Sequence, residues 1–200
     1  MQNFNRTRLA SALAIGAFGL VAACARNDAD MTNDTLGTTP PATATTPMSD
    51  MSGWTDANVV QALEVANRGE VEYSQNGVDK ATNPAVKEFA QLMVKDHGTM
   101  LESVQSLATQ LNVQPAANDK VNELQEEVRK DINDLNAKTG KEFDEEFMSE
   151  QVDMHQETLD LLDDLDGRTT NAQLKAAIAE AKPKVQAHLD RAKQIKDQID

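Results

Sequence analysis

The chain has one cysteine, few aromatic residues and no excess of positive charge. The single cysteine, Cys24, excludes an intramolecular disulfide and a thiolate metal cluster. Aromatics at 4% argue against a β-sandwich or barrel. With 33 acidic against 19 basic residues the formal net charge is −14. A surface of that sign does not bind nucleic acid through its phosphates, and its plain reading is a solvated acidic exterior. No Gly-rich phosphate loop, Gly-x-Ser-x-Gly elbow or cysteine nucleophile is present, so enzymatic activity has no recognisable motif behind it. After residue 53 glycine and proline are sparse, and the text is rich in Ala, Leu, Glu, Lys, Gln and Asp, which points to an all-α domain.

What is there begins with an address. Arg6 and Arg8 precede an apolar, small-residue run from Leu9 to Ala23. That run is short for a membrane span, which takes about 20 residues, and reads as an export signal over 1–23. Its exit, Val21-Ala22-Ala23-Cys24, resembles the lipobox of bacterial lipoproteins, in which the cysteine becomes the lipidated first residue. The expected partner is therefore a membrane, reached through a lipid on Cys24. Ala25, rather than Asp, follows the cysteine, and by resemblance to lipoprotein sorting this favours the outer membrane, facing the periplasm. The alternative is an ordinary signal and a soluble periplasmic or secreted protein. Residues 24–52 include Thr-Thr-Pro-Pro-Ala-Thr-Ala-Thr-Thr-Pro and almost no large apolar side chain, so they read as a disordered tether.

Residues 53–200 parse into helices. The expected spans are Asp56 to Asp79, Pro84 to Asn112, a shorter Asp119 to Lys138, one from a Thr139–Glu142 capping box to Asp166, and one from a Thr170–Gln173 capping box to the end. Asn83 and Pro84 form a cap and first-turn proline, Pro115 and Gly167 act as stops, and Pro183 predicts a kink or local break. Four long helices with short connections predict an antiparallel four-helix bundle, with an additional shorter helix between bundle helices two and three. The fourth helix carries eleven acidic residues and no Lys or Arg between Glu142 and Asp166. Lys182, Lys184, Arg191, Lys193 and Lys196 on the fifth are placed to balance that field across the bundle.

The chain has three histidines, His97, His155 and His188, each at or beside the apolar stripe of a different long helix. Glu70 continues the stripe of the first helix, with Glu72 and Asp96 as supporting candidates. Imidazole and carboxylate in a bundle core suit Fe, Mn, Zn or Cu. The di-iron pattern needs Glu-x-x-His, however, and Val94, Val152 and Val185 stand three residues before the histidines. Counted from residue 168, His155 lies 13 residues back and His188 20 on, an axial offset of about 10 Å that speaks against one shared site. The plainer reading is three core histidines hydrogen-bonded to nearby polar groups.

Arg68-Gly69-Glu70-Val71-Glu72, the segment from Asn83 to His97, Phe143-Asp144-x-x-Phe147, His155 and Pro183-x-Val185-x-x-His188-Leu189 together resemble the signature of the bacterial family known as domain of unknown function 4142. The resemblance covers about residues 55 to 195. It implies a ferritin-like helical bundle and an envelope location, and it implies no established activity. Two readings follow. The first is a lipid-anchored envelope bundle with a binding or stress-related role and no catalysis. The second is a ferritin-like metal-binding or redox protein using Glu70, His97, His155 and His188.

Overall fold

The computed structural model describes residues 53–200; the expected export signal, Cys24 and the Thr/Pro stretch lie outside the described residues. All regular structure among the described residues is helical: α1 (Asp56–Lys80), α2 (Pro84–Leu111), α3 (Asp119–Asn136), α4 (Gly140–Arg168) and α5 (Ala172–Ile199). The expectation of an all-α chain with a shorter third helix holds.

Helix starts follow side-chain chemistry. Thr55 and Asn58 form a reciprocal capping box on α1. The Asn83 carbonyl accepts from the Ala85 amide, ahead of Pro84 in the first turn of α2. Asn118 accepts from Val121 N on α3, and Asn171 accepts from the amides of Gln173 and Leu174 on α5. Each such cap satisfies backbone donors that the helix leaves open, worth about 1 kcal/mol.

The two expected capping boxes do not form. Thr139 makes no side-chain cap, and Glu142 is taken instead by Lys138 one turn earlier, at 2.6 Å. At α5 the cap is Asn171, not Thr170, because buried Thr169 orders the turn: its hydroxyl donates to Asp56 and accepts from Asn171 N. Gly167 does not stop α4, whose last residue, Arg168, pairs with Asp164 and lies 4.9 Å from the Trp54 ring. Asn112, in the left-handed conformation at φ 53°, ends α2 before Pro115 is reached. Pro183 lies inside α5 without breaking it.

α1 packs on α2, α4 on α5, α1 on α4 and α2 on α5, while α3 lies against α1 and touches α4. Close approach depends on two glycines. A Cβ on Gly77 would stand 2.7 Å from Ala90 and from the Phe147 ring, and one on Gly69 would stand 2.8 Å from the Val128 methyls on α3. Buried Asp144 on α4 accepts from the amides of Thr82 and Asn83 and from the Thr82 hydroxyl, fixing the α1–α2 turn to α4. Of the expected charge balance, Lys182 reaches Asp163 at 2.7 Å; Lys175, outside the expected set, reaches Asp166 at 3.5 Å. Lys184 and Lys196 pair instead within or at the end of their own helix, with Glu180 and Asp200.

The core is in two parts. One holds Val59, Leu63, Val104, Leu162, Leu165 and Ile178. The other holds Tyr73, Phe89, Met93, Phe143, Phe147 and Ile195. Burying such side chains contributes roughly 1.5–3 kcal/mol each. Along every long helix the residue between the two parts is polar: Glu70 on α1, His97 on α2, His155 on α4 and His188 on α5, all buried.

Candidate metal centre

The same sequence periodicity that buries the apolar stripes buries these four polar groups, because each occupies a stripe position. The ring centroids of His97, His155 and His188 are 5.3–5.5 Å apart pairwise. One ring nitrogen from each lies within 4.8 Å of the other two. The axial separation expected from the sequence is overturned. That count gave helical rise to the three turn residues between Arg168 and Ala172. Measured from the helix ends, the offset falls to about 4.5 Å at about 1.5 Å per residue, within the reach of two imidazoles.

Each ring is held by its other nitrogen. His155 Nδ1–H donates to the Gln151 carbonyl at 2.8 Å. His188 Nε2–H donates to Asp96 Oδ2 at 3.1 Å. His97 Nδ1–H donates to Asn67 Oδ1 at 3.1 Å, and Asn67 is itself oriented by its own amide nitrogen donating to the Leu63 carbonyl. With the protons on those nitrogens, His97 Nε2, His155 Nε2 and His188 Nδ1 carry the lone pairs. All three are buried and have no hydrogen-bond partner.

The electrostatics keep them that way. Burial lowers the pKa of His97 well below the usual imidazole value, with His155 and His188 adding to the effect. His155 is lowered by burial to about 4. His188 is lowered chiefly by burial, and Asp96 opposes the shift. Three neutral imidazoles therefore stand together, one nitrogen of each within 4.8 Å of the others, with three buried nitrogens unpartnered. An unpartnered buried polar atom costs about 1–3 kcal/mol. A cation that accepts nitrogen lone pairs would relieve three of them together, and each imidazole is held through another nitrogen as metal-ligating histidines commonly are.

Glu70 stands beside the group rather than in it. Its Oε2 accepts from Gln151 Nε2 at 3.0 Å, and its Oε1 lies 3.6 Å from His155 Nδ1, too long for a hydrogen bond and on the anchored side of the ring. Burial raises its carboxyl to about 7. Glu72 is exposed, so its expected supporting place is corrected: two residues on from Glu70 the side chain stands about 200° round the helix, on the face opposite the buried one. Asp96 does meet an imidazole, but that of His188 on α5 rather than its neighbour His97. Two orienting residues escaped the sequence reading, Asn67 and Gln151. Their signal was spacing: Asn67 lies one turn before Glu70, and Gln151 one turn before His155.

Among solved structures the chain is similar to CopM. The Ag-bound form (by soaking) matches at 16% identity with a TM-score of 0.57, covering 72% of this chain and 96% of that one. The Cu(I)-bound form matches at 17% identity and TM-score 0.57, and the Cu(II)-bound form at 14% and 0.55, each covering 72% of this chain and 97% of the other. At such identities the likeness is one of fold. No curated protein matches the sequence. A family model matches residues 37–195, most of the chain and the whole of the polar layer, and the chain belongs to the family described as Domain of unknown function (DUF4142).

Proposed function

We propose that this protein is an exported, lipid-anchored helical bundle of the cell envelope that holds a single transition-metal ion on His97, His155 and His188, and that the ion is copper. The observation that carries the reading is the convergence of three buried, unpartnered imidazole nitrogens whose opposite nitrogens are all fixed by the protein. An all-nitrogen set of this kind suits copper and zinc better than the carboxylate-rich ligation typical of di-iron or di-manganese sites. The fold likeness to CopM, solved in Cu(I)-, Cu(II)- and Ag-bound forms, places copper first for testing. A bound copper would supply Lewis acidity and one-electron chemistry; the chain supplies binding, orientation by Asn67, Gln151 and Asp96, and a dry setting. The ring of contacts α1–α2–α5–α4 supports the antiparallel, ferritin-like arrangement of the four long helices, with α3 as an addition on one side. The likeness of residues 1–24 to a lipoprotein leader supports the outer-membrane, periplasm-facing location.

The test is metal retention. The full chain, purified in detergent and loaded separately with Cu(I), Cu(II) and Zn(II), is expected to keep about one copper per chain through gel filtration. His97→Ala, His155→Ala and His188→Ala should each lose it while keeping their helical circular dichroism. Equal retention by the native chain and by a variant lacking all three imidazoles would overturn the proposal.

A further inference from the structure

A cavity of about 110 Å³ adjoins the three-histidine centre inside the bundle. Its walls include His97, Asn67, Glu70 and Met100, completed by apolar side chains such as Leu63 and Val185. Met100 is half-buried and lies three residues after His97, on the same face of α2. Its sulfur is the only one among the lining residues. Ser103, Glu180 and Lys184, which complete the lining toward α5, are exposed. The cavity thus joins the solvent edge of the α2–α5 pair to an imidazole of the centre.

We infer that the Met100 thioether is a ligand for Cu(I), receiving the ion in this cavity and sharing it with the imidazole of His97, the member of the three-histidine centre that lines the same cavity. The inference rests on the metal-binding reading above and adds to it a residue and an oxidation state. Two pieces of chemistry point the same way. Thioether sulfur is a soft, neutral donor that selects Cu(I) over harder divalent ions. Stripping water from an ion in a largely apolar cavity costs in proportion to the square of its charge, so a singly charged ion passes where a doubly charged one is held back. A neutral imidazole and a neutral thioether leave the added charge at one, the least that copper can bring into the core.

X-ray absorption at the copper edge, on the full chain loaded with Cu(I) under anaerobic reducing conditions, reads the ligand directly. The native chain should show sulfur together with nitrogen scatterers. Met100→Leu, which keeps the volume of the side chain, should show nitrogen alone. Chelator competition should find Cu(I) affinity reduced about tenfold in Met100→Leu, with Zn(II) affinity unchanged. A nitrogen-only spectrum in the native chain, sulfur retained in Met100→Leu, or Cu(I) and Zn(II) affinities falling together would each overturn the assignment while leaving the three-histidine centre standing. Failure of the native chain to hold Cu(I) while it keeps Cu(II) would overturn this ligand and leave the centre, and failure to hold either would remove both.

Discussion

Single residues in the polar layer titrate against one another, and the signs are separable. His155 has a folded pKa of about 4 against an unfolded value of 6.5, and His97 and His188 are shifted the same way. Over that window the unfolded chain binds more protons, so stability is whole above about 6.5 and is lost as the pH falls toward 4. Glu70 runs opposite: raised from 4.5 to about 7, it binds more protons when folded, so its contribution is whole below 4.5 and is lost as the pH rises through 7. Three histidines outweigh one carboxyl on the acid side. Thermal unfolding of the metal-free protein in chelator should therefore show stability rising from pH 4 to about 6.5, by on the order of a few kcal/mol, dipping slightly as Glu70 finishes ionising near pH 7 and levelling above it. His155→Leu should flatten the rise between pH 4 and 6.5, and Glu70→Gln, which removes the opposing group, should steepen it; a flat native profile from pH 4 to 8 would contradict both. The histidines were readable from sequence as stripe residues, as was Glu70. Their convergence was not, since it depends on how few residues of turn separate α4 from α5. Nor was the His188–Asp96 contact, which joins positions 92 apart in the chain.

Elements were far more legible than the site, because a helix announces itself locally. Asn83 with Pro84, the spacing from Val86 to Met93 and the sparse glycine mark α2 without reference to any other part of the chain. The capping boxes failed for the complementary reason: Glu142 and Thr169 had other partners in reach, Lys138 and Asp56, and for Thr169 that competition is tertiary. The role of glycine divides along the same line. Gly77 reads from sequence as one more small stripe residue, yet it is where α1 meets both Ala90 of α2 and Phe147 of α4. Gly77→Ala places a methyl against rigid neighbours and should cost about 1–3 kcal/mol. Gly167, inside α4 with nothing within 4 Å of where its Cβ would stand, is the control: Gly167→Ala should gain about 0.5–1 kcal/mol through the lower entropy of its unfolded chain. Urea midpoints of the two variants should move in opposite directions. A neutral Gly77→Ala would show that the α1–α2–α4 contact has more slack than these distances allow.

At the scale of the whole molecule, the proposed anchoring comes down to one atom, the sulfur of Cys24. No described helix is long and apolar enough to cross a membrane. Under the proposed anchoring the attachment is a lipid on Cys24, each buried methylene contributing about 0.8 kcal/mol. Cys24→Ser should move the protein from the membrane pellet to the soluble periplasmic fraction with its helical spectrum unchanged; persistence in the pellet after a salt wash would rule out lipid as the anchor. The division of the core has a mechanical consequence. Two greasy plugs, one above and one below, are joined across a storey where four helices present ring nitrogens and a carboxyl instead of hydrocarbon. That storey is held by hydrogen bonds between helices, His97 to Asn67, His188 to Asp96 and Gln151 to Glu70, in place of packed hydrocarbon. An ion there would act as a rivet at mid-height, tying α2, α4 and α5 where grease cannot, and the firmness of the entire rod assembly would then report whether the ion is home.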